Sequence, residues 1–220
     1  MKNLYPFTVL SIFVMLSNYS FGQMTYQDAN GNTHLAGPFA LEILEQDTLY
    51  NGWYDESYQS FQVSEKDVSW KAELEDISVE IYLGTWCGDS KNWVPKFVKL
   101  WDSLGLAQNQ LHFTALYNGD EKYKQGPNHE EEGLRIHRVP TFIFKRDGAE
   151  FARIVETPRN DLETDLAQIA LGYPSEPNYR AATYLTKLLE KQTVDSVYKD
   201  FRKHIYEAYE LVSKVNELNT

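Results

Sequence analysis

A mixed α/β fold, a central sheet flanked by helices, is predicted by three features of this sequence. Apolar runs at 79–83 (VEIYL), 111–116 (LHFTAL) and 142–144 (FIF) have strand length and are rich in β-branched and aromatic residues. The first stops at Gly84, and Trp86-Cys87-Gly88-Asp89-Ser90 then opens a helix. The third runs through Lys145-Arg146-Asp147-Gly148 into a further apolar run at 151–155, and Asp-Gly between two such runs is a strong hairpin signal.

The elements follow in order. Residues 1–22 read as a secretory signal: Lys2 gives a positive start, 4–16 is mostly apolar, and Ser20-Phe21-Gly22 puts small residues at both cleavage-determining positions. The mature chain is expected to begin near Gln23. The run is too short, and too interrupted by Thr8 and Ser11, to span a bilayer, which takes about 20 apolar residues. No cysteine follows the cleavage site, so lipid attachment there has no support. Residues 23–77 form an N-terminal addition read as helical: Gly37-Pro38 is a breaker, and Trp53, Tyr54, Tyr58 and Phe61 space like one aromatic helix face packed on the sheet. Residues 64–74 supply a helix start or a loop, and 79–83 the central buried strand.

The Cys87 helix is expected to run to about Leu104 and to stop at Gly105. The polar stretch 117–134, with Gly119, Gly126-Pro127 and Glu130-Glu131-Glu132, is long for a connection, and long loops often border binding sites. Thr157-Pro158, Asn160 and Asp161 start a helix to Ala170 with good capping chemistry. Tyr173-Pro174-Ser175-Glu176-Pro177 is a breaker, and 173–220 is a C-terminal helical extension. There Val194, Val197, Phe201, Ile205, Ala208, Val212 and Val215 form one apolar stripe, which would fold back on the domain or pair two copies in a homodimer.

The formal charge is −11, and loss of the leader takes away Lys2 and no acid, giving −12. Such a chain repels phosphate backbones and anionic lipid, which excludes a nucleic-acid role. Apolar residues at 42% are ample for a core.

Export to a periplasmic or secreted location implies an oxidising compartment, where a single cysteine is informative. Cys87 cannot form a disulfide within the chain, so it is either an inert thiol or one that reacts with partners. Its place at a strand-to-helix turn favours the second: unpaired backbone N–H groups and the helix dipole promote the thiolate there. His34, His112, His129 and His204 show no ligand spacing with cysteine or each other, so neither a metal nor a cofactor is implied.

The run IYLGTWCGDSKNWVPKFVK (81–99) resembles the active-site region of the thioredoxin superfamily: a buried strand, W-C-x-x-C, and a helix with a proline eight residues after the first cysteine, here Pro95. VPTF at 139–142 is similar to the second signature of that superfamily, in which the X-Pro bond is cis and lies against the cysteine. Over about 78–172 the resemblance implies a thioredoxin-like fold with Cys87 as nucleophile and Trp86 as an apolar wall. Gly88 would allow close approach, and Val139, Pro140 and Thr141 would bind an extended partner peptide.

The departures are informative. Ser90 replaces the second cysteine, so no internal thiol can resolve a mixed disulfide. Asp89 replaces proline and opposes the charge of a Cys87 thiolate, while Lys91 acts the other way. The buried acid of the family falls at Ile81, with Glu80 beside it on the other strand face. His137 and Arg138 bring positive charge toward the site. The leading expectation is monothiol thiol–disulfide exchange with protein thiols or disulfides. The alternative is a redox-inactive binding or chaperone module. C-G-D-S also resembles the C-G-F-S of monothiol glutaredoxins, which hold iron–sulfur clusters, but Trp86 and the export signal argue against that reading.

Overall fold

The computed structural model describes residues 24–64, 68–119 and 122–199. Six strands form one mixed sheet, in the order β1-β2-β4-β3-β5-β6. At its centre β3 (Ile77–Leu83) lies parallel to β4 (Leu111–Ala115), with Val79 opposite Leu111, and antiparallel to β5 (Thr141–Arg146), with Ile81 opposite Phe142. Strand β6 (Ala149–Val155) returns antiparallel to β5 through Asp147-Gly148, both at positive φ (52° and 77°), as the two-residue Asp-Gly turn requires.

The N-terminal segment departs from the all-helical expectation. It opens with a hairpin, β1 (Met24–Gln27) and β2 (Thr33–Phe39), turning at Asp28 to Asn32, and only then forms α1 (Glu42–Gln46) and α2 (Asn51–Ser60). The Gly37-Pro38 pair does not break β2, because the strand changes partners there. Residues 33–36 pair with β1 and 37–39 with β4, so at Pro38 only one neighbour needs hydrogen bonds. A 3₁₀ turn over Ser69–Leu74 leads into β3.

Helix α3 (Gly88–Ser103) buries Val94, Phe97, Val98 and Trp101 along one face and ends before Gly105. Pro95 has no N–H, so the Lys91 carbonyl receives no helical hydrogen bond from it. Helix α4 (Leu162–Ala170) is capped by Asp161, which accepts from the Thr164 amide at 2.8 Å. Helices α1 to α4 share one core with the strand residues Leu35, Val79, Ile81, Leu83, Phe113, Phe142 and Phe144. At its centre the Phe97 ring lies 4.6 Å from Phe142 and 5.7 Å from Trp101.

The other sheet face carries a smaller cluster, Tyr82, Leu116, Val139 and Ile143, against which Trp86, Cys87, Leu134 and Ile136 pack. Leu134 and Ile136 reach it from the 122–139 segment, to which α5 (Arg180–Leu189) is linked by an ion pair from Arg135 to the residue after the helix, Glu190. Helix α6 (Val194–Lys199) follows, with Val194 exposed. Most of the C-terminal apolar stripe, from Phe201 onward, lies outside the described residues, as do 1–22. No helix among the described residues is long and apolar enough to cross a membrane.

Candidate functional site

Cys87 is the residue that caps α3, with extended backbone (φ −90°, ψ 126°). Its amide donates to Gly84 O at 2.8 Å, and its carbonyl accepts from Lys91 N at 3.0 Å, which fixes the turn from strand to helix. The thiol is half-buried and donates to Val139 O at 3.3 Å. The Val139–Pro140 bond is cis.

Trp86 forms one wall. Its indole N–H donates to Leu116 O at 2.8 Å, and its ring lies so close to Gly84 that a Cβ there would sit 2.5 Å from Cε2. Gly84, rather than Gly88, is therefore where this loop needs a missing side chain. A Cβ on the exposed Gly88 would meet no atom within 4 Å.

Ser90 is fully buried, and its hydroxyl accepts from Gly84 N at 3.2 Å. It thus closes the loop around Cys87 from the inside. Asp89 is half-exposed in the first helical turn. Ile81 is fully buried where the family resemblance would put an acid, while Glu80, on the other face, pairs with Lys145 and accepts from the Tyr82 hydroxyl at 3.4 Å.

Among the residues expected to meet a partner, Val139 supplies the backbone oxygen that faces the thiol. The side chains of Val139 and Thr141 are buried, and the Thr141 hydroxyl donates to Arg138 O at 2.7 Å. That bond ties Thr141 to the loop that precedes Pro140. Burial, with Arg153, Lys124 and Arg138 nearby, holds the His137 imidazole below its ordinary value, so the ring is neutral at pH 7. Its Nδ1 lies 3.2 Å from Arg135 O, and its Nε2 is buried with no hydrogen-bond partner among the described residues.

Sequence reasoning missed one network behind the site. Thr85, two residues before the cysteine, is buried, and its hydroxyl accepts from Leu35 N at 3.1 Å and lies 3.3 Å from Nδ1 of the buried His34. His34 Nε2 in turn lies 3.4 Å from Asp28 Oδ2. Hydrogen bonds from the Asn32 side chain and amide, then from the Asn30 amide and His34, lower the Asp28 carboxyl to about 2. The signal was available: Asn30-Gly31 between two short apolar-alternating runs is itself a hairpin cue, and a hairpin there brings His34 to the sheet.

Comparison with known proteins adds little. No family model and no curated protein matches the chain. Among solved structures, one similar chain is a protein of unknown function from Pseudomonas aeruginosa, 14% identical, with 62% of this chain and 83% of that chain covered at a TM-score of 0.39. Another is an HIV epitope scaffold, 12% identical, with 63% and 84% covered at 0.38. Likeness at that level carries no statement about function.

Proposed function

We propose that this chain is an exported protein with a thioredoxin-like domain over 78–172 that engages partner proteins by thiol–disulfide exchange through Cys87. The observation that carries the reading is the thiol at the start of α3, 3.3 Å from the backbone oxygen of Val139. The thiol is half-buried beside the Val139 carbonyl at the strand-to-helix turn, and a strand-like partner has a backbone edge within reach. Attack on a partner disulfide forms the Cys87–partner bond and releases one partner thiolate, which takes a proton from solvent. No internal thiol resolves the adduct, so reversal or an external thiol completes the cycle.

The experiment is trapping. Non-reducing gels of cell-envelope extracts should show reducible adducts of the chain that vanish in Cys87→Ala. Extracts in which neither form carries adducts contradict the reading.

A second reading, a redox-inactive binding module, is favoured by a groove of about 700 Å³ bordered by Phe39, Glu80, Tyr82, His112, Thr114 and Glu130. It lies on strands β2 to β4 and would bind a ligand without using the thiol.

A further inference from the structure

Two aromatic rings, each under a cation, adjoin the two residues of the Cys87 site. On the cysteine side, Tyr123 lies 5.7 Å from the Trp86 ring and carries the Lys124 ammonium 4.4 Å above its centre. On the Val139 side, the guanidinium of Arg138 lies 4.7 Å over Tyr179, whose ring also meets His137 edge-on at 5.9 Å. Lys124 reaches across to donate to His137 O at 2.7 Å, which links the two pairs.

Each pair contains a residue held in the left-handed region, Lys124 at φ 58° and Tyr179 at φ 64°. A side chain there is strained, and such outliers concentrate at functional sites. Neither aromatic is spent on the core: Tyr123 is 51% and Tyr179 38% exposed. Lys124 has no carboxylate partner among the described residues, and Arg138 pairs with Glu156 at 3.3 Å while remaining about half-exposed. A cation seated on a ring keeps N–H groups free for an anion.

We infer that the partner segment read by this site is acidic, with carboxylates beside its cysteine, and that Lys124 and Arg138 select it. The inference rests on the exchange reading. It runs against the −11 charge of the whole chain, which by itself would favour basic partners. Asp89 in the first turn of α3 and Glu156 beside Arg138 lie close by. Within a Debye length of about 8–10 Å the attraction for an acidic segment therefore rests on Lys124, which has no carboxylate partner among the described residues, and on the half-exposed Arg138. The selected step is the exchange above: the partner's disulfide breaks, the Cys87–partner disulfide forms, and the leaving thiolate takes a proton.

Three short peptides test this, each with one cysteine blocked as its thionitrobenzoate mixed disulfide and flanked by acidic, neutral or basic residues. Release of the chromophore by the purified chain is measured against release by 2-mercaptoethanol, which corrects for each peptide's own reactivity. At low salt the acidic peptide should react about 5–10-fold faster than the basic one, and the gap should close at high salt. Lys124→Gln and Arg138→Gln should each narrow the gap, and a thermal unfolding midpoint matching the parent's shows that each variant still folds. Equal rates for the acidic and basic peptides, a faster basic peptide, or a gap that both variants preserve would overturn the inference and leave exchange intact. No release from any peptide, the neutral one included, would remove the exchange reading and this inference with it.

Discussion

The buried Ser90 hydroxyl accepts the Gly84 amide at 3.2 Å, so the residue standing where the family resemblance would place a second sulfur is tied to the strand end on the inner side of the Cys87 turn. Ser90→Cys exchanges that oxygen for sulfur within the first turn of α3, three positions from Cys87. The variant is expected to close an internal disulfide and to gain insulin-reductase activity with dithiothreitol, the parent showing little. The gain should be partial, since Ile81 supplies no proton acceptor. A parent as active as an ordinary two-cysteine reductase would contradict the argument from the missing thiol.

Gly84 is where the wall of the site meets the chain. Gly84→Ala puts a methyl 2.5 Å from Trp86 Cε2, against a ring fixed by its bond to Leu116 O. Such overpacking costs about 1–3 kcal/mol. Urea unfolding should show that loss, and indole fluorescence should report the displaced ring. Gly88→Ala, in open space, should leave both nearly unchanged.

Thr85 joins β2 to the Cys87 turn through the Leu35 amide and His34. Thr85→Val keeps the shape and leaves the buried Leu35 amide and the Nδ1 of His34 unpaired, at a cost of about 1–3 kcal/mol. Thr85→Ser should retain most of the stability. A larger loss in Thr85→Ser than in Thr85→Val would show that the methyl, not the hydroxyl, matters.

What the sequence disclosed follows from how local each signal is. The Asp147-Gly148 turn, the Asp161 cap and the start of α3 after Gly84 depend on a few neighbouring residues, and each occurs where its residues stand. The hairpin at 24–39 was masked by Gly37-Pro38, which breaks a strand with two neighbours but not one that changes partners at that point. The His34 and Thr85 contact joins residues 51 apart and becomes visible only once β2 is in the sheet. The cations on Tyr123 and Tyr179 were equally hidden, because nothing in the spacing of 122–124 or 177–180 signals a left-handed residue.

Alkaline pH should unfold the chain earlier than its carboxylates and lysines alone would imply. Burial pushes the Tyr26 phenol up to about 12, and burial followed by the Asp102 carboxylate does the same for Tyr58, both from 10.0. Tyr54 and Tyr82 are also raised, chiefly by burial. Below pH 10 these groups are protonated in both states and the stability is whole. Between 10 and 12 the unfolded chain loses protons that the folded chain keeps, so stability falls as pH rises. Tyrosinate absorbance should appear later in the folded chain than in urea, and Tyr26→Phe should flatten the stability loss over that window.

The most direct test of the account is the reaction of the folded chain with a disulfide-linked peptide pair, followed by intact and peptide-level mass spectrometry under non-reducing conditions. The account predicts one peptide added, on Cys87, in native buffer and its removal by added thiol. A folded chain whose Cys87 stays unmodified, while the same chain in denaturant reacts fully, would make the thiol inert and contradict the central claim.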